Sequence, residues 1–292
     1  MTGRRRLVRV PASSANLGPG YDVMAAALSL QMEVEVAESG EFSIDAGELE
    51  IPSGRDNLVV RAFETLHPAD GLSFRIRSEI PLARGLGSSA AAIVAGLAAA
   101  DHLYELALSP GELLARAAEL EGHPDNVAAA VYGGFVICGE DGGGPAAARF
   151  EPPEGLEAVA VIPADEVTTE KARSAIPDQV PLDDAVANVA AAALLVLGLQ
   201  QADLNLVGRG LRDRLHQPRR RELYPRSMDL LEAAPELGAL GATISGAGPT
   251  LLVWTTWQDT GTVVDQLERR CAGWAEVRRL PFTPHGVDVP EL

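Results

Sequence analysis

The sequence predicts an α+β fold, and three observations favour this class. The chain has 292 residues, 47% of them hydrophobic and 22% charged, which is typical of a globular protein with room for a large core in two domains. Segments with the alternation of strands and segments with the periodicity of helices occur in both halves. They follow no strict strand–helix repeat, and this disfavours a doubly wound parallel sheet.

The first half of the chain contains the elements of a predicted N-terminal domain. Leu30–Val36 alternates apolar and polar residues as a half-buried strand does, and Leu72–Arg77 repeats the pattern. SPGE at residues 109–112 is a capping box, which predicts a helix from about 110 to 121. The other predictions are strands at Val8–Val10 and within GGFVICG (133–139), a loop over PASSANLGPGYD (11–22), and helices at Asn57–Leu66, after the serines at 88 and 89, and from Asp125.

The second half begins after a segment rich in glycine and proline, residues 140–155, which predicts a boundary or a long surface connection. We therefore expect one domain over 1–155 and another over 156–292. A strand is predicted at Ala158–Ile162 and a long alanine-rich helix at 183–199. The remaining predictions are helices near 205–215, 226–234 and 258–271, and strands at Ala242–Ser245, Thr250–Thr255 and Ala275–Leu280.

The composition excludes several classes of partner. The net charge of −17 disfavours general attraction to nucleic acid or to an anionic membrane, so any phosphate has to be bound locally. No apolar run reaches membrane-spanning length with suitable flanks. The two cysteines, Cys138 and Cys271, form no metal-type or redox-type pair. We expect a soluble cytoplasmic protein with neither a nucleic-acid nor a membrane partner.

A glycine–serine turn before a helix is the first candidate site. Residues 81–100 read PLARGLGSSAAAIVAGLAAA. Gly85 and Gly87 permit a ligand to approach the backbone, while Ser88 and Ser89 can cap the helix or bind a ligand oxygen. The free N–H groups at the start of a helix favour an anion, and the alanines that follow leave space for a phosphate. The alternative is an ordinary loop before a capped core helix.

Three motifs in sequence order resemble those of the GHMP small-molecule kinases. PLARGLGSSAA (81–91) is similar to the phosphate-binding motif of that family, VRVPASSANLGPGYD (8–22) to the first motif and GATISGAGPT (241–250) to the third. The resemblance covers roughly residues 7–282. It implies an N-terminal domain like ribosomal protein S5 domain 2, a ferredoxin-like C-terminal domain, and a site in the cleft between them. It also implies that ATP is bound by Pro81, Gly85, Leu86, Gly87, Ser88, Ser89, Ala90, Ala91, Gly246 and Gly248.

Four segments narrow the resemblance to the members of the family that phosphorylate L-homoserine: PASSANLGPGYD, EGHPDN, TTEKARSAIP and DRLHQPRRRELYP. They imply transfer of phosphate from MgATP to the side-chain hydroxyl of L-homoserine, a step in threonine biosynthesis, and a homodimer. The implied substrate contacts are Asn16, Asp22, His123, Asn126, Thr169, Arg173 and Arg220. Two alternatives stay open, namely a related kinase for another small alcohol and an inactive nucleotide-binding sensor.

The chemistry of homoserine agrees with these residue types. Homoserine is a zwitterion, so its carboxylate needs a cationic fork, which Arg173 and Arg220 would provide, and its ammonium needs an anion such as Asp22. Which arginine of the 219–221 triplet faces the substrate stays open. The segment EGHPDN offers Asn126 to orient the hydroxyl, with Asp125 as a competing candidate for a base.

Magnesium prefers hard oxygen ligands, few of them from the protein. By resemblance they are Ser88 and one glutamate near the end of the helix over 110–121, where we prefer Glu121 to Glu119. The predicted catalytic set is therefore Asn126, Ser88 and Glu121. Phosphoryl transfer depends mainly on positioning and charge, so no dedicated base is required.

Overall fold

The computed structural model describes residues 3–142 and 144–291, and confirms the α+β class. The strands of the first sheet are β1 (Arg5–Ala15), β2 (Met24–Glu38), β3 (Ser43–Asp45), β4 (Leu72–Ser78), β5 (Phe135–Glu140) and β6 (Pro145–Phe150). Their order is β3-β4-β2-β5-β6, with β1 paired to β2. The helices of this half are α1 (Leu58–Glu64), α2 (Ser88–Tyr104), α3 (Pro110–Glu121) and α4 (Asp125–Tyr132).

The first strand is longer than the sequence predicts. β1 continues past a register shift at Pro11/Ala12, and its last residues pair with Ala25–Leu28 of β2. The first part of the predicted loop 11–22 is therefore strand, and the turn occupies only its later residues. The prediction failed because Ala12–Ala15 consists of four small residues that are all buried. A fully buried strand lacks the alternation of apolar and polar residues that marks a half-buried one.

Helix α2 lies in the centre of the N-terminal half. Every residue from Ala90 to Asp101 is buried, and the helix contacts α1, α3, α4, β1 and β2. Its alanines and Gly96 allow close packing, because a Cβ at Gly96 would collide with the carbonyl oxygen of Val59 in α1. The predicted capping box of α3 is confirmed, with Ser109 and Glu112 bonding each other's backbone N–H.

The elements of the second half are β7 (Leu156–Pro163), α5 (Thr169–Ser174), α6 (Leu182–Gln201), α7 (Leu204–Gly210), α8 (Pro225–Ala233), β8 (Gly241–Ile244), β9 (Leu251–Thr256), α9 (Thr260–Cys271) and β10 (Ala275–Arg279). Its strands form an antiparallel sheet with the order β10-β7-β9-β8. Residues 281–288 then return to the first half, where Phe282 bridges to Leu28 and Asp288 to Arg9.

The segment 140–155 is not only a connection. It contains β6, which pairs with β5 along its whole length, although its glycines and prolines predict no strand. Gly143 of this segment, and residues 1, 2 and 292 of the predicted domains, lie outside the described residues. β6 belongs to the first sheet and β7, from Leu156, to the second. The domain boundary at residue 155 itself stays a prediction.

The helix predicted over 205–215 ends early, at Gly210. The side chain of Asp213 accepts hydrogen bonds from the backbone N–H groups of Leu215, His216 and Gln217, which holds these residues in a turn instead of a helix. An aspartate that bonds the backbone ahead of it competes with helix formation. The strand β3 and the helix α5 are also absent from the sequence predictions.

Helix α6 is long and apolar enough to cross a membrane by length and composition, with a mean hydropathy of 1.8. It nevertheless packs on α7. Its buried Asn188 donates to the carbonyl oxygen of Pro19 and to Asp213, and accepts from the backbone N–H of Arg214. These bonds anchor the helix in the fold, and the expected absence of a membrane partner stays a prediction.

Candidate active site

A cavity of about 130 Å³ lies between the two halves and brings most of the predicted site residues together. It is lined by the turn after β1, the glycine–serine turn (residues 81–89), the α3–α4 connection, α5 and the loop after β8. The predicted residues at its wall are Asn16, Asp22, Pro81, Gly85, Leu86, Gly87, Ser88, Ser89, Glu121, His123, Asn126, Thr169, Arg173, Arg220 and Gly246.

Three predicted residues are not at the wall. Ala90 and Ala91 are fully buried in α2 below the turn. Gly248 has a positive φ of +81°, and a Cβ there would meet the ring of Tyr224 at 2.8 Å. Their side-chain positions lie against protein atoms, and a nucleotide contact of these three residues stays a prediction.

The glycine–serine turn presents its backbone to the cavity. The φ angle is positive at alternate residues, +53° at Ala83, +78° at Gly85 and +72° at Gly87. Alternation of this kind directs successive N–H groups to one concave side, where backbone can bind an anion. Helix α2 begins at Ser88 without a side-chain cap, so the N–H groups of its first turn also face this side. The turn has the features of a phosphate site.

Two glycines let this turn touch both halves of the molecule. A Cβ on Gly85 would collide with the carbonyl oxygen of Ser245, and a Cβ on Gly87 with the hydroxyl of Ser13. The Ser245 hydroxyl donates to the carbonyl oxygen of Gly85 at 2.6 Å. Gly246 in turn donates its N–H to the carbonyl oxygen of Ala15 at 3.1 Å. The loop after β8 is therefore seated directly on the glycine–serine turn.

Glu121 lies at the end of α3, opposite the start of α2. Its carboxylate accepts a hydrogen bond of 2.6 Å from the hydroxyl of Ser89. Ser88 also lines the cavity, but successive residues of a helix point about 100° apart, so it faces another direction than Ser89. The magnesium pair Ser88 and Glu121 stays a prediction. Burial raises the pKa of Glu121, whereas the Ser89 hydrogen bond and the nearby His123 lower it.

The α3–α4 connection and the start of α4 supply His123, Asp125 and Asn126, which are linked by hydrogen bonds. Asp125, only 2% exposed, accepts from the Nδ1 of His123 at 2.9 Å and from the backbone N–H of Asn126 at 2.7 Å. This hydrogen bond to Asp125 is the main cause that raises the pKa of His123. The Oδ1 of Asn126 accepts from the Ser13 hydroxyl at 2.8 Å, which leaves its Nδ2 to donate into the cavity.

Asp22 and Arg173 form an ion pair across the cavity. The guanidinium donates two parallel bonds to the carboxylate, of 2.7 and 2.9 Å, and a third of 3.1 Å to the hydroxyl of Tyr21. Both side chains keep about a third of their surface exposed, 34% for Asp22 and 38% for Arg173. The predicted anion for an ammonium and the predicted cation for a carboxylate are thus adjacent.

The structure separates the three arginines of the 219–221 triplet. Arg220 is 2% exposed and lines the cavity, whereas Arg219 and Arg221 pair with carboxylates outside it. The guanidinium of Arg220 donates to the carbonyl oxygens of Ala172 and Gly246, at 3.1 and 2.9 Å. The choice of Arg220 within the triplet therefore agrees with its position at the cavity.

A buried histidine holds Arg220. The Nη1 of Arg220 lies 3.1 Å from the Nδ1 of His216, and since arginine only donates, this Nδ1 must be the acceptor. The Nε2 of His216 therefore carries the proton and donates to the carbonyl oxygen of Gly18 at 2.8 Å. Burial lowers the pKa of His216 to about 4, so the ring is neutral at pH 7.

Asn16 bonds other protein groups at the cavity wall, and its contact with the substrate stays a prediction. It lines the cavity, but its Nδ2 donates to the carbonyl oxygen of Gly246 at 2.9 Å and its Oδ1 accepts from the backbone N–H of Asp22 at 3.0 Å. Its φ of +70° places it in the left-handed region. In this arrangement Asn16 positions Asp22 and the loop after β8, with one hydrogen and one lone pair left for a ligand.

Sequence reasoning missed several residues of the site. The guanidiniums of Arg173 and Arg220 each lie 5.6 Å from the ring centre of Tyr21. Arg84 lines the cavity from within the glycine–serine turn, and His216 bonds Arg220. Tyr21, Arg84 and His216 all lie inside the quoted motifs, within four residues of a predicted site residue, and this position is the signal that could have identified them.

Comparisons with known proteins agree with this geometry. The sequence matches the family models described as GHMP kinases N-terminal domain, over residues 57–134, and GHMP kinases C-terminal, over residues 193–273. A homoserine kinase of Thermus thermophilus is 46% identical over 83% of this chain and 84% of its own length, and that of Moorella thermoacetica is 42% identical over 85% and 86%.

A solved structure extends the likeness to the whole chain. The crystal structure of homoserine kinase from Cytophaga hutchinsonii superposes with a TM-score of 0.88 and 30% identity, over 98% of both chains. The sequence identities of 42% and 46% cover most of the chain, and the fold likeness includes both halves. The chain therefore belongs to the homoserine kinases, within the GHMP kinase family.

Proposed function

We propose that this chain transfers the γ-phosphoryl group of ATP to the side-chain hydroxyl of L-homoserine, forming O-phospho-L-homoserine. One observation supports this most strongly. The glycine–serine turn lines the same cavity as the paired Asp22 and Arg173, whose two charges are complementary to those of an α-amino acid. Mevalonate and galactose carry no ammonium group that could pair with the charge of Asp22.

The triphosphate of ATP lies, in this proposal, on the concave side of the glycine–serine turn. The backbone N–H groups of the turn and of the first turn of α2 bind its oxygens, with the hydroxyl of Ser88 as a further donor. The cavity of about 130 Å³ is too small for a whole nucleotide and an amino acid together. A second cavity, of about 680 Å³, shares Pro81 and Arg84 with it and offers Trp274. We propose that this second cavity takes the nucleoside.

Magnesium fits the donor set between α2 and α3. The Ser89 hydroxyl and the Glu121 carboxylate are hard oxygen donors 2.6 Å apart, beside the turn proposed to hold the phosphates. We propose Ser89, in place of Ser88, as the partner of Glu121 in holding the ion. When bound, magnesium supplies positive charge to the phosphate oxygens. Two protein oxygens suffice, since this ion keeps several waters and takes its other ligands from phosphate.

The amino acid is proposed to bind through its charges. Its ammonium takes the carboxylate of Asp22, and its carboxylate takes the guanidiniums of Arg173 and Arg220. Asn16 fixes Asp22 through the backbone, and His216 fixes Arg220, so both binding groups are held in place by neighbouring protein groups. Thr169, at the start of α5, lies on the same wall.

Transfer then requires the hydroxyl to approach the γ-phosphorus in line. Asn126 lines the cavity and its Oδ1 is bonded to Ser13, so its Nδ2 is proposed to orient this hydroxyl by donating to its oxygen. Asp125 is the competing candidate for a base. Its Oδ1 already binds His123 and the backbone of Asn126, so in the structure it acts first as the group that holds the connection together.

The experiment that tests this function measures ADP release with L-homoserine, D-homoserine, L-serine, mevalonate and galactose in parallel. We expect turnover with L-homoserine well above the blank and above the other four. If L-homoserine gives no more ADP than the blank while mevalonate or galactose does, the protein acts on another alcohol. If none gives ADP although an ATP analogue binds, it is a nucleotide sensor.

We also propose a homodimer that forms through α6. Leu182, Val186 and Val189 are 77%, 59% and 72% exposed and lie on one face of this helix. Light scattering after gel filtration tests this. We expect Val189→Glu to lower the mass toward that of a monomer. Leu106 is 41% exposed elsewhere on the surface, and Leu106→Glu should leave the mass unchanged.

A cytoplasmic location stays a prediction that agrees with the two buried free cysteines.

A further inference from the structure

Arg84 is an arginine within the anion-binding turn itself. It stands between Ala83 and Gly85, both with positive φ, and lines both the small cavity and the larger one beside it. Among the described residues that line the small cavity the arginines are Arg84, Arg173 and Arg220. Arg173 is bound to Asp22, and Arg220 to two carbonyl oxygens and His216.

The partner of Arg84 comes from the other half of the molecule. Its Nη1 lies 2.9 Å from a carboxylate oxygen of Glu166, in the connection between β7 and α5, and 3.2 Å from the carbonyl oxygen of Leu82. The Arg84 side chain is 19% exposed, whereas that of Glu166 is 64% exposed. An ion pair through one nitrogen to an exposed carboxylate contributes little, because water screens it and competes for both groups.

The charge of the ligand favours an exchange of partners. The chain carries a net charge of −17, and the turn lacks the lysine by which the common phosphate-binding loop neutralises a triphosphate. A triphosphate carries more charge than one carboxylate, and arginine forms strong charge-assisted bonds with phosphate. A triphosphate seated on the N–H groups of residues 83–89 would lie beside the Arg84 guanidinium, since both border the same small cavity.

We propose that Arg84 is a further substrate-binding residue that exchanges Glu166 for the triphosphate of ATP. In the free protein, Glu166 holds the guanidinium at the edge of the turn. When nucleotide binds, the guanidinium bonds phosphate oxygens, and Glu166 is released into solvent. This inference rests on the proposed function, because it takes the glycine–serine turn to be the phosphate site.

The test compares Arg84→Gln with Glu166→Gln, using calorimetric binding of a non-hydrolysable ATP analogue with Mg²⁺ and without homoserine. We expect Arg84→Gln to weaken binding of the analogue about 10- to 100-fold, because it removes charged hydrogen bonds to the phosphates. Glu166→Gln should bind at least as tightly as the wild type, because Arg84 then has no carboxylate to leave. The matched control is Arg77→Gln, which removes an arginine of β4 that is paired with Asp45. This variant should bind the analogue with nearly the affinity of the wild type.

The two variants distinguish a role of Arg84 in binding from a merely structural role of the Arg84–Glu166 ion pair in holding the two halves together. A binding role predicts weaker binding for Arg84→Gln only, whereas a structural role predicts weaker binding for both variants. If both variants weaken binding by similar factors, or if Arg84→Gln binds within twofold of the wild type, the proposal is wrong. Arg84→Lys keeps one positive charge and is tested as well. We expect it to fold even if Arg84→Gln does not, and to bind more weakly than the wild type; equal affinity would count against the proposal.

Steady-state kinetics give a second readout. Arg84→Gln should raise the KM for ATP much more than the KM for homoserine, whereas a general structural defect would alter both. Failure of the proposed function looks different, since then the wild type does not phosphorylate homoserine, whatever its affinity for the analogue. If the wild type phosphorylates homoserine and Arg84→Gln leaves the KM for ATP unchanged, the Arg84 proposal alone is overturned.

Discussion

The carboxylate of Asp22 and the guanidinium of Arg173 bind each other through two bonds, of 2.7 and 2.9 Å, although they come from different halves of the chain. Both are partly exposed to the cavity. An α-amino acid carries the same two charges in reverse, so it can replace this internal pair with two external pairs. The pair keeps both side chains in place when no ligand is bound and limits the cost of desolvating either one.

Replacement of Arg173 should therefore act on the amino acid and not on the nucleotide. For Arg173→Met we expect the KM for L-homoserine to rise about 10- to 100-fold, because hydrogen bonds to a charged group are lost. The KM for ATP should be nearly unchanged. Arg219→Met, outside the cavity, is the control. Asp22→Asn should impair homoserine but have little effect on 4-hydroxybutyrate, which has no ammonium. Equal effects on both compounds would contradict the assignment of Asp22.

The two serines of the turn should differ in their dependence on magnesium. Ser89 contacts Glu121, so Ser89→Ala should raise the Mg²⁺ concentration needed for half-maximal rate, as Glu121→Gln should. Ser88→Ala should instead raise the KM for ATP, since Ser88 lies at the wall without contacting Glu121. Titration of Mg²⁺ at saturating ATP measures this. A shift in Ser88→Ala but not in Ser89→Ala would restore the pair predicted from the sequence.

Acid should destabilise the fold through His216. Its pKa is lowered from the usual 6.5 to about 4 by burial, so between these values the unfolded chain binds a proton that the native state does not. Stability is therefore lost as pH falls from about 6.5 to 4, by up to about 3 kcal/mol for this one group. Urea unfolding at pH 7 and pH 5 measures it. His216→Gln, which keeps a donor and an acceptor, should show a smaller loss; an equal loss would remove His216 as the cause.

The second histidine of the site should respond in the opposite direction. The hydrogen bond that His123 donates to Asp125 raises the pKa of His123 above 6.5. The stability that this bond contributes is fully present below pH 6.5 and is lost as pH rises through the higher pKa of the folded state. The stability difference between the wild type and His123→Asn should therefore shrink between pH 6 and pH 9. A difference that grows over this range would show that the pair does not titrate as described.

The backbone of the glycine–serine turn should not tolerate a side chain at residue 87. Gly87 has a φ of +72°, and a Cβ there would overlap the hydroxyl of Ser13. Because the strain and the overlap both distort the turn, Gly87→Ala should lower kcat/KM by at least about tenfold. Gly111→Ala, in α3 with nothing within 4 Å of the added carbon, should retain wild-type activity. Comparable activity of the two variants would argue against a phosphate site at this turn.

The helices and strands that could be predicted are those whose signal lies in residues adjacent in the sequence. The capping box of α3 and the alternation of β4 are local, and both elements were predicted close to their observed bounds. β6 was missed because its residues form a strand only through pairing with β5. The helix predicted over 205–215 was too long because Asp213 binds three backbone N–H groups that periodicity does not reveal.

The sequence by itself determined the family motifs, the anion-binding character of the glycine–serine turn and the choice of residue types for an amino acid that carries two charges. Only the tertiary structure decided which atoms meet: Ser89 and not Ser88 with Glu121, Arg220 within its triplet, Asp22 with Arg173, and His216 behind Arg220. The physical reason is that motifs follow the order of the chain. Contacts depend on helix rotation, strand register and the approach of two domains, all of which arise from packing between distant segments.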